Sequence, residues 1–320
     1  MQYDPDLTAI IISYNTREMT LKCLEALQAS LAGIPSEVIV VDNASGDGSP
    51  EAIRKAFPEV ILIENHENRG FGAANNQAMQ IARGEFFLLL NSDAFMEPDT
   101  ASTLLSFIRT NPDAAVVGPR LLNEDGSLQV SCYRFPTPGL AWRENLWISS
   151  LFANHPALGD YRRWSHDHDR QVEWVVGACM LVRASVVERV GLFDESFFMY
   201  AEETDWQRRM SEASLQTWFS AQTQVVHLGG FSGKDEASSI NQAFFESLDH
   251  YVLKHHGSLG LISLRCAMAV GAGLRAPLWI VSLLLRPSRR RLSAAKLRFT
   301  AWLWLRQVTN WRILKGRVEL

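Results

Sequence analysis

Five consecutive apolar residues, Phe86-Phe87-Leu88-Leu89-Leu90, run straight into Asn91-Ser92-Asp93. A short run that is apolar throughout predicts a strand covered on both faces in a parallel sheet. The pattern recurs upstream. Residues 8–12 are rich in β-branched side chains and end in Ser13-Tyr14-Asn15, residues 38–41 end in Asp42-Asn43, and residues 60–63 form a third run. Helical spacing fills the gaps. Thr16 stands where it would cap a helix that places Met19, Cys23, Leu24 and Leu27 on one face. Residues 70–82, rich in alanine and asparagine, predict another helix. Strands alternating with helices imply an α/β fold with a mostly parallel sheet and right-handed crossovers.

In such a sheet the strands end along one edge, and open α/β sheets bind ligands there. Tyr14, Asp42, Asn68 and Asp93 are expected to converge on that edge, with Asp93 able to hold a divalent cation against an anionic ligand. Each has a plainer reading. Asp42-Asn43 and Asp47-Gly48 are turn formers, Asn91-x-Asp93 suits a turn or a helix cap, Tyr14 suits a half-buried aromatic, and Asn75-Asn76 suit backbone satisfaction. Four strand ends of this chemistry in one register favour the ligand reading.

Downstream, residues 173–183 predict a strand whose Gly177 admits a close neighbour. Glu202, Glu203 and Asp205 then open a helix, where the dipole favours acids. They are also candidates for a general base. His227 follows an apolar run and precedes Gly229-Gly230, where it could complete a metal site with Asp93.

Length and charge add a second segment. The chain has 320 residues, enough for one large domain and an appendage. The 63 residues from Ser258 hold 12 of the 31 Lys and Arg and one of the 35 acids, so they carry +11 and the rest −15. Residues 266–285 are apolar with one charge, Arg275, and residues 299–308 carry Trp302, Trp304 and Arg306. Between them lies Arg286-Pro287-Ser288-Arg289-Arg290-Arg291. Basic residues with Trp and Leu fit helices lying on an anionic membrane surface. A central arginine argues against a span. Packing on the body or on another subunit is the further alternative, which leaves a homo-oligomer open. The tail has no nucleic-acid motif and the acidic body repels phosphates, so nucleic acid is not an expected partner. Four scattered cysteines suggest neither zinc nor disulfides and fit a reducing compartment. The polar start runs directly into a strand, so no signal peptide is expected. Residues 134–170, irregular and rich in Pro, Trp, His and Arg, read as an inserted loop of the kind that forms lids.

Taken in order, Ser13-Tyr14-Asn15, Val41-Asp42-Asn43-Ala44-Ser45, Asn68-Arg69-Gly70-Phe71-Gly72, Leu90-Asn91-Ser92-Asp93, Gly177-Ala178-Cys179, Phe193-Asp194, the acidic block from Tyr200 to Arg208, and His227 resemble the family-2 inverting glycosyltransferases of the GT-A fold. The resemblance is strongest to the bacterial branch with rhamnosyltransferases of surface-polysaccharide assembly, and covers residues 7–235. It implies a GT-A domain over 1–257, with a nucleotide-sugar half (1–120) and an acceptor and catalytic half (121–257), then a basic helical tail (258–320). Tyr14 would flank the base of a nucleotide-diphosphate sugar, Asp42 would accept a hydrogen bond from the pyrimidine, and Asn68 would lie beside them. Asn91 and Asp93 occupy the family's Asp-x-Asp. Asp93, with His227, would then bind Mg2+ or Mn2+, and Asn91 would meet ribose or water. Glu203 falls on the catalytic base, with Asp205 as the fallback, and Cys179 is expected to pack. The favoured donor is dTDP-rhamnose and the acceptor a polyprenyl-diphosphate-linked saccharide at the cytoplasmic face of the membrane. Two other classes remain. A nucleotidyltransferase would need a glycine-rich phosphate loop that Ser13-Tyr14-Asn15 lacks. A non-catalytic scaffold would fit the Glu203 departure from the usual aspartate.

Overall fold

The computed structural model describes residues 5–152, 155, 158, 159, 161, 164–229 and 237–309, with the backbone alone for 237–241. In chain order the elements are β1 (Leu7–Ser13), α1 (Arg17–Ser30), β2 (Ser36–Asp42), α2 (Ser49–Ala56), β3 (Ile61–Glu64), α3 (Phe71–Ile81), β4 (Phe86–Asn91), β5 (Ala94–Met96), α4 (Thr100–Thr110) and β6 (Ala114–Leu122). Then come β7 (Leu128–Gln129), β8 (Cys132–Tyr133), α5 (Pro138–Asn145), α6 (Ile148–Leu151), β9 (Arg170–Val172), β10 (Trp174–Val175) and β11 (Cys179–Arg183). The last are α7 (Ser185–Val190), α8 (Glu202–Glu212), β12 (Gln216–His227), α9 (Ala237–Leu285) and α10 (Arg290–Thr309).

The chain packs as two compact units, Met1–Phe135 with Trp164–Ser247, and Pro136–Arg163 with Leu248–Leu320. The first is built on one sheet of order β3-β2-β1-β4-β11-β6-β12-β5. The pairings make β11 and β5 run against the other six, so the sheet is mostly parallel as expected. Ile10, Leu88 and Leu89 are wholly buried. From α1, Cys23, Leu24 and Leu27 pack in the same cluster as Leu88, and full burial of each leucine is worth about 2 kcal/mol. The register aligns the strand ends. Ser13 sits beside Asp42, and Ile12 beside Asn91.

Three expectations are corrected. The run 173–183 is not one strand. Val175 pairs with β8 and turns its N–H to the side chain of Gln207, Val176 donates to Ser131, and the chain enters the main sheet only at Cys179. Thr16 occupies the N-cap of α1, but its hydroxyl turns to Thr20 and Ser92, while Asp47 accepts the N–H of Arg17. The span 134–170 is not wholly irregular. Thr137 caps α5 by accepting the Leu140 N–H at 3.0 Å, with Pro138 in the first turn.

In the second unit α9 breaks at Gly257, where φ is 66°. The charge boundary at Ser258 lies just beyond that break. A short 3-10 turn, Pro287–Arg289, separates α9 from α10.

Candidate active site

The loops after β1 and β2 build the first wall of the site. Asn15 donates its N–H to Ser45 Oγ at 2.9 Å and accepts the Gly46 N–H at 2.8 Å. Tyr14, the residue before Asn15, is half-buried. Asp42 is 1% exposed. Its Oδ2 accepts the Ser45 N–H at 2.8 Å, and its Oδ1 is buried with no partner. A buried carboxylate oxygen without a donor is costly and suits a ligand N–H. Next to it, Asn43 donates to Asn68 Oδ1 and to the Gly70 carbonyl, both at 3.1 Å, and accepts from Asn65 and the Arg69 N–H. Asn43 thus fixes the turn 65–70 that leads into α3 and holds Asn68 by its carbonyl.

The second cluster gathers at the ends of β4 and β12. His227 pairs with Ala94 across the sheet, and Leu228 donates its N–H to the Asp93 carbonyl. His227 Nε2 therefore lies 3.3 Å from Asp93 Oδ1 and 3.3 Å from Asn91 Nδ2. Its Nδ1 is 2.6 Å from Gln129 Oε1. The Gln129 amide nitrogen already donates to Asn123 Oδ1 and to the His227 carbonyl, each at 3.0 Å, so its oxygen must face the ring. Nδ1 is then the donor, which leaves Nε2 facing Asp93. Among the described residues no group of three or more His, Cys, Asp and Glu is placed to hold a metal ion. Asp93 and His227 are a two-residue set that fits Mg2+ or Mn2+ completed by phosphate oxygens and water. Cis ligands of an octahedral ion with bonds of about 2.1 Å stand about 3 Å apart, close to the spacing here.

The third cluster is the N-terminus of α8. Tyr200 and Ala201 both have left-handed backbones, with φ of 68° and 66°. The bend drives Glu202 and Glu203 inward. Burial raises the Glu203 carboxyl above its usual range, opposed by the backbone N–H groups of Glu203, Gly177 and Thr204. Burial, then the charge of Glu203, raises Glu202 well above its usual range. One Oε2 on each is buried without a partner. Gln207 anchors the helix by donating to the Val175 and Glu203 carbonyls and accepting the Val175 N–H at 2.9 Å. Gly177-Ala178 links this cluster to the second, since the Ala178 carbonyl accepts the Asn91 N–H at 2.9 Å.

Asp205 has a different place. It is fully buried and its Oδ2 meets Arg209 at 2.9 Å, while Arg209 also reaches the Val190 and Leu192 carbonyls. That carboxylate braces α8 against the turn before it. Asn75 and Asn76 divide. Asn75 donates within its own helix, and buried Asn76 clamps both the N–H and the carbonyl of Phe193 at 3.0 Å. Cys179 packs, its thiol pushed up to about 12 by burial.

A sequence profile of glycosyl transferase family 2 matches residues 8–190. The chain belongs to that family. It is a glycosyltransferase. It is 29% identical over 280 residues to the N-acetylglucosaminyl-diphospho-decaprenol L-rhamnosyltransferase of Mycobacterium tuberculosis, covering 81% of this chain and 88% of that one. It is 28% identical to the low-salt glycan biosynthesis hexosyltransferase Agl10 of Haloferax volcanii, over 69% of this chain and 66% of the other. Its fold matches a mannosyltransferase from Pyrobaculum calidifontis solved with GDP-Man and Mn2+ (TM-score 0.54, 20% identity, 95% and 88% of the two chains). The GT-A expectation is thereby met.

Proposed function

We propose that this glycosyltransferase is an inverting, metal-dependent enzyme that moves rhamnose from dTDP-rhamnose to a polyprenyl-diphosphate-linked saccharide. The mycobacterial relative is named for rhamnosyl transfer to a lipid-linked acceptor, which supports both partners. The observation that carries the reading is the Asp93–His227 pair at the sheet edge that also presents the unpartnered Asp42 Oδ1.

Asp42 takes an N–H of the pyrimidine, and Tyr14 flanks the ring. Asn91 meets ribose or water. Glu203 accepts the proton of an acceptor hydroxyl as that oxygen attacks the anomeric carbon. The bond from that carbon to the diphosphate oxygen breaks in the same step, its electron pair leaves with the diphosphate, and the configuration inverts. A divalent ion held by Asp93 and His227 would offset the charge of the departing diphosphate. No covalent intermediate is required, in keeping with Cys179 being sealed in the core.

The test measures the thermal midpoint of the full chain against a panel of nucleotide sugars with Mn2+ or Mg2+, followed by transfer assays. A ligand that binds only the folded state raises the midpoint by mass action. dTDP-rhamnose with metal should give the largest rise. Chelator and Asp93→Ala should each abolish the transfer and reduce the rise. Full transfer in the presence of chelator would refute the metal-dependent reading, and a larger rise with another donor would reassign the sugar.

A further inference from the structure

The second unit buries Tyr251, Val252, Leu261 and Leu264 yet leaves most of its other large apolar side chains in the open. Of the 22 large apolar side chains exposed among the described residues, five belong to the first unit and 17 to the second. On α10 the buried positions are polar. Ser293, Thr300 and Gln307, spaced by seven, are buried, while Leu292, Phe299, Trp304, Leu305 and Val308 are exposed. A helix in water shows the opposite pattern. Polar contacts also join the helices. Ser282 and Ser293 share a hydrogen bond at 2.8 Å, and buried Asp249 joins Arg265 at 2.8 Å to Arg306 at 2.9 Å. Trp142 donates to Ser263. Small and polar side chains between helices, with leucines outward, are what a hydrocarbon surround selects.

Arg275, the one charge within 266–285, does not interrupt this surface. It turns onto Asn145 Oδ1 at 2.9 Å and lies 5.2 Å from the Trp147 ring centre. The span from Gln242 to Leu285 includes an 18-residue window of mean hydropathy 1.7, only 11% of it buried. Beside the exposed Leu284 and Leu285 stand the exposed Arg286, Arg289, Arg290 and Arg291.

We propose that this face of α9 and α10 lies in an anionic lipid leaflet, the leucines and aromatics in the acyl boundary and the arginines at the phosphates. Charge chooses the occupant. From Ser258 to Val318 the sequence has no acid, so a second copy of this face offers nothing to the arginines, whereas anionic lipid does. The helices lie along the leaflet and do not cross it, because crossing would carry the arginine turn to the far side, against the preference for basic loops to stay cytoplasmic. The surface stands on its own pattern, and binding is read without donor or acceptor, so it fails or holds independently of the transfer reaction.

The experiment is co-sedimentation of the full chain with vesicles of phosphatidylglycerol and phosphatidylethanolamine, against phosphatidylcholine alone. The protein should pellet with the anionic vesicles, and high salt should release only a part. Replacing Arg286, Arg289, Arg290 and Arg291 together by Gln should weaken vesicle binding at least about tenfold. Leu278→Ser with Leu284→Ser should let high salt release the remainder, with circular dichroism checking that the helices persist. If the full chain stays in the supernatant with anionic vesicles, the proposal falls. It also falls if sedimentation velocity shows a dimer that the double Leu→Ser variant dissociates, since a second copy would then occupy the face.

Discussion

Gln129 Oε1 holds the Nδ1–H of His227 at 2.6 Å and so leaves Nε2 facing Asp93. The two residues are 98 positions apart, joined only because β7 pairs with β6 alongside β12. An outer partner of this kind fixes both the tautomer and the ring plane of a ligand histidine. Gln129→Leu keeps the volume and removes the acceptor. We expect Mn2+-dependent binding of nucleotide diphosphate to weaken about 10- to 100-fold, with the metal-independent part unchanged. Titration calorimetry with and without Mn2+ decides it. Equal affinity in the variant and the parent would show that His227 needs no such partner.

Much of the fold is legible in the pattern that opens the chain. An apolar run followed by a polar residue marks both the strand and the edge it reaches, so Asp42 and Asp93 can be read directly. The reversed direction of β11 cannot, because an apolar run does not show which way it points. Gln129 and Gln207 escape the pattern for a different reason, and Asn43 reads there only as a turn former. Each is an amide in a polar setting whose partners lie far along the chain, as with Gln207 and Val175, 32 residues apart. The start of α5 did carry a local signal, Thr137 followed by Pro138.

Glu203 should set the acidic limb of the pH profile. Burial raises its carboxyl, and only the charged form takes a proton, so turnover should rise with pH through that raised value. Glu203→Gln should lower turnover at least about a hundredfold and flatten the limb, while donor affinity stays near that of the parent. Steady-state kinetics across pH with a separate binding measurement tests both halves. A variant that keeps turnover would move the base to another group.

Glu202 should cost stability as pH rises. Its folded value lies well above the ordinary 4.5, through burial and then Glu203. The folded state therefore keeps a proton that the unfolded chain releases. The resulting stabilisation is complete below the unfolded value and is lost as pH rises toward the folded one. Glu202→Gln removes that dependence, so its thermal midpoint should gain on the parent as pH is raised above 4.5. Parallel pH curves for the two proteins would contradict this.

Gly70 and Gly33 separate backbone strain from collision. Both have positive φ, 81° and 78°. A Cβ at Gly33 meets nothing within 4 Å, whereas one at Gly70 falls 2.2 Å from the Phe198 carbonyl oxygen. That oxygen also accepts the Phe71 N–H at 3.0 Å, so the collision pushes on the turn that leads to Tyr200, Ala201 and the start of α8. Gly33→Ala should cost the strain alone, about 1–2 kcal/mol, and leave turnover as it is. Gly70→Ala should cost more than that and lower turnover at least about tenfold, because Glu203 rides on the displaced bend and a misplacement of about 1 Å at the chemistry is worth about a hundredfold. Thermal midpoints and turnover of the two variants, measured side by side, give the comparison. Equal loss of turnover in both would mean that the approach of Phe198 to Gly70 has no bearing on the base.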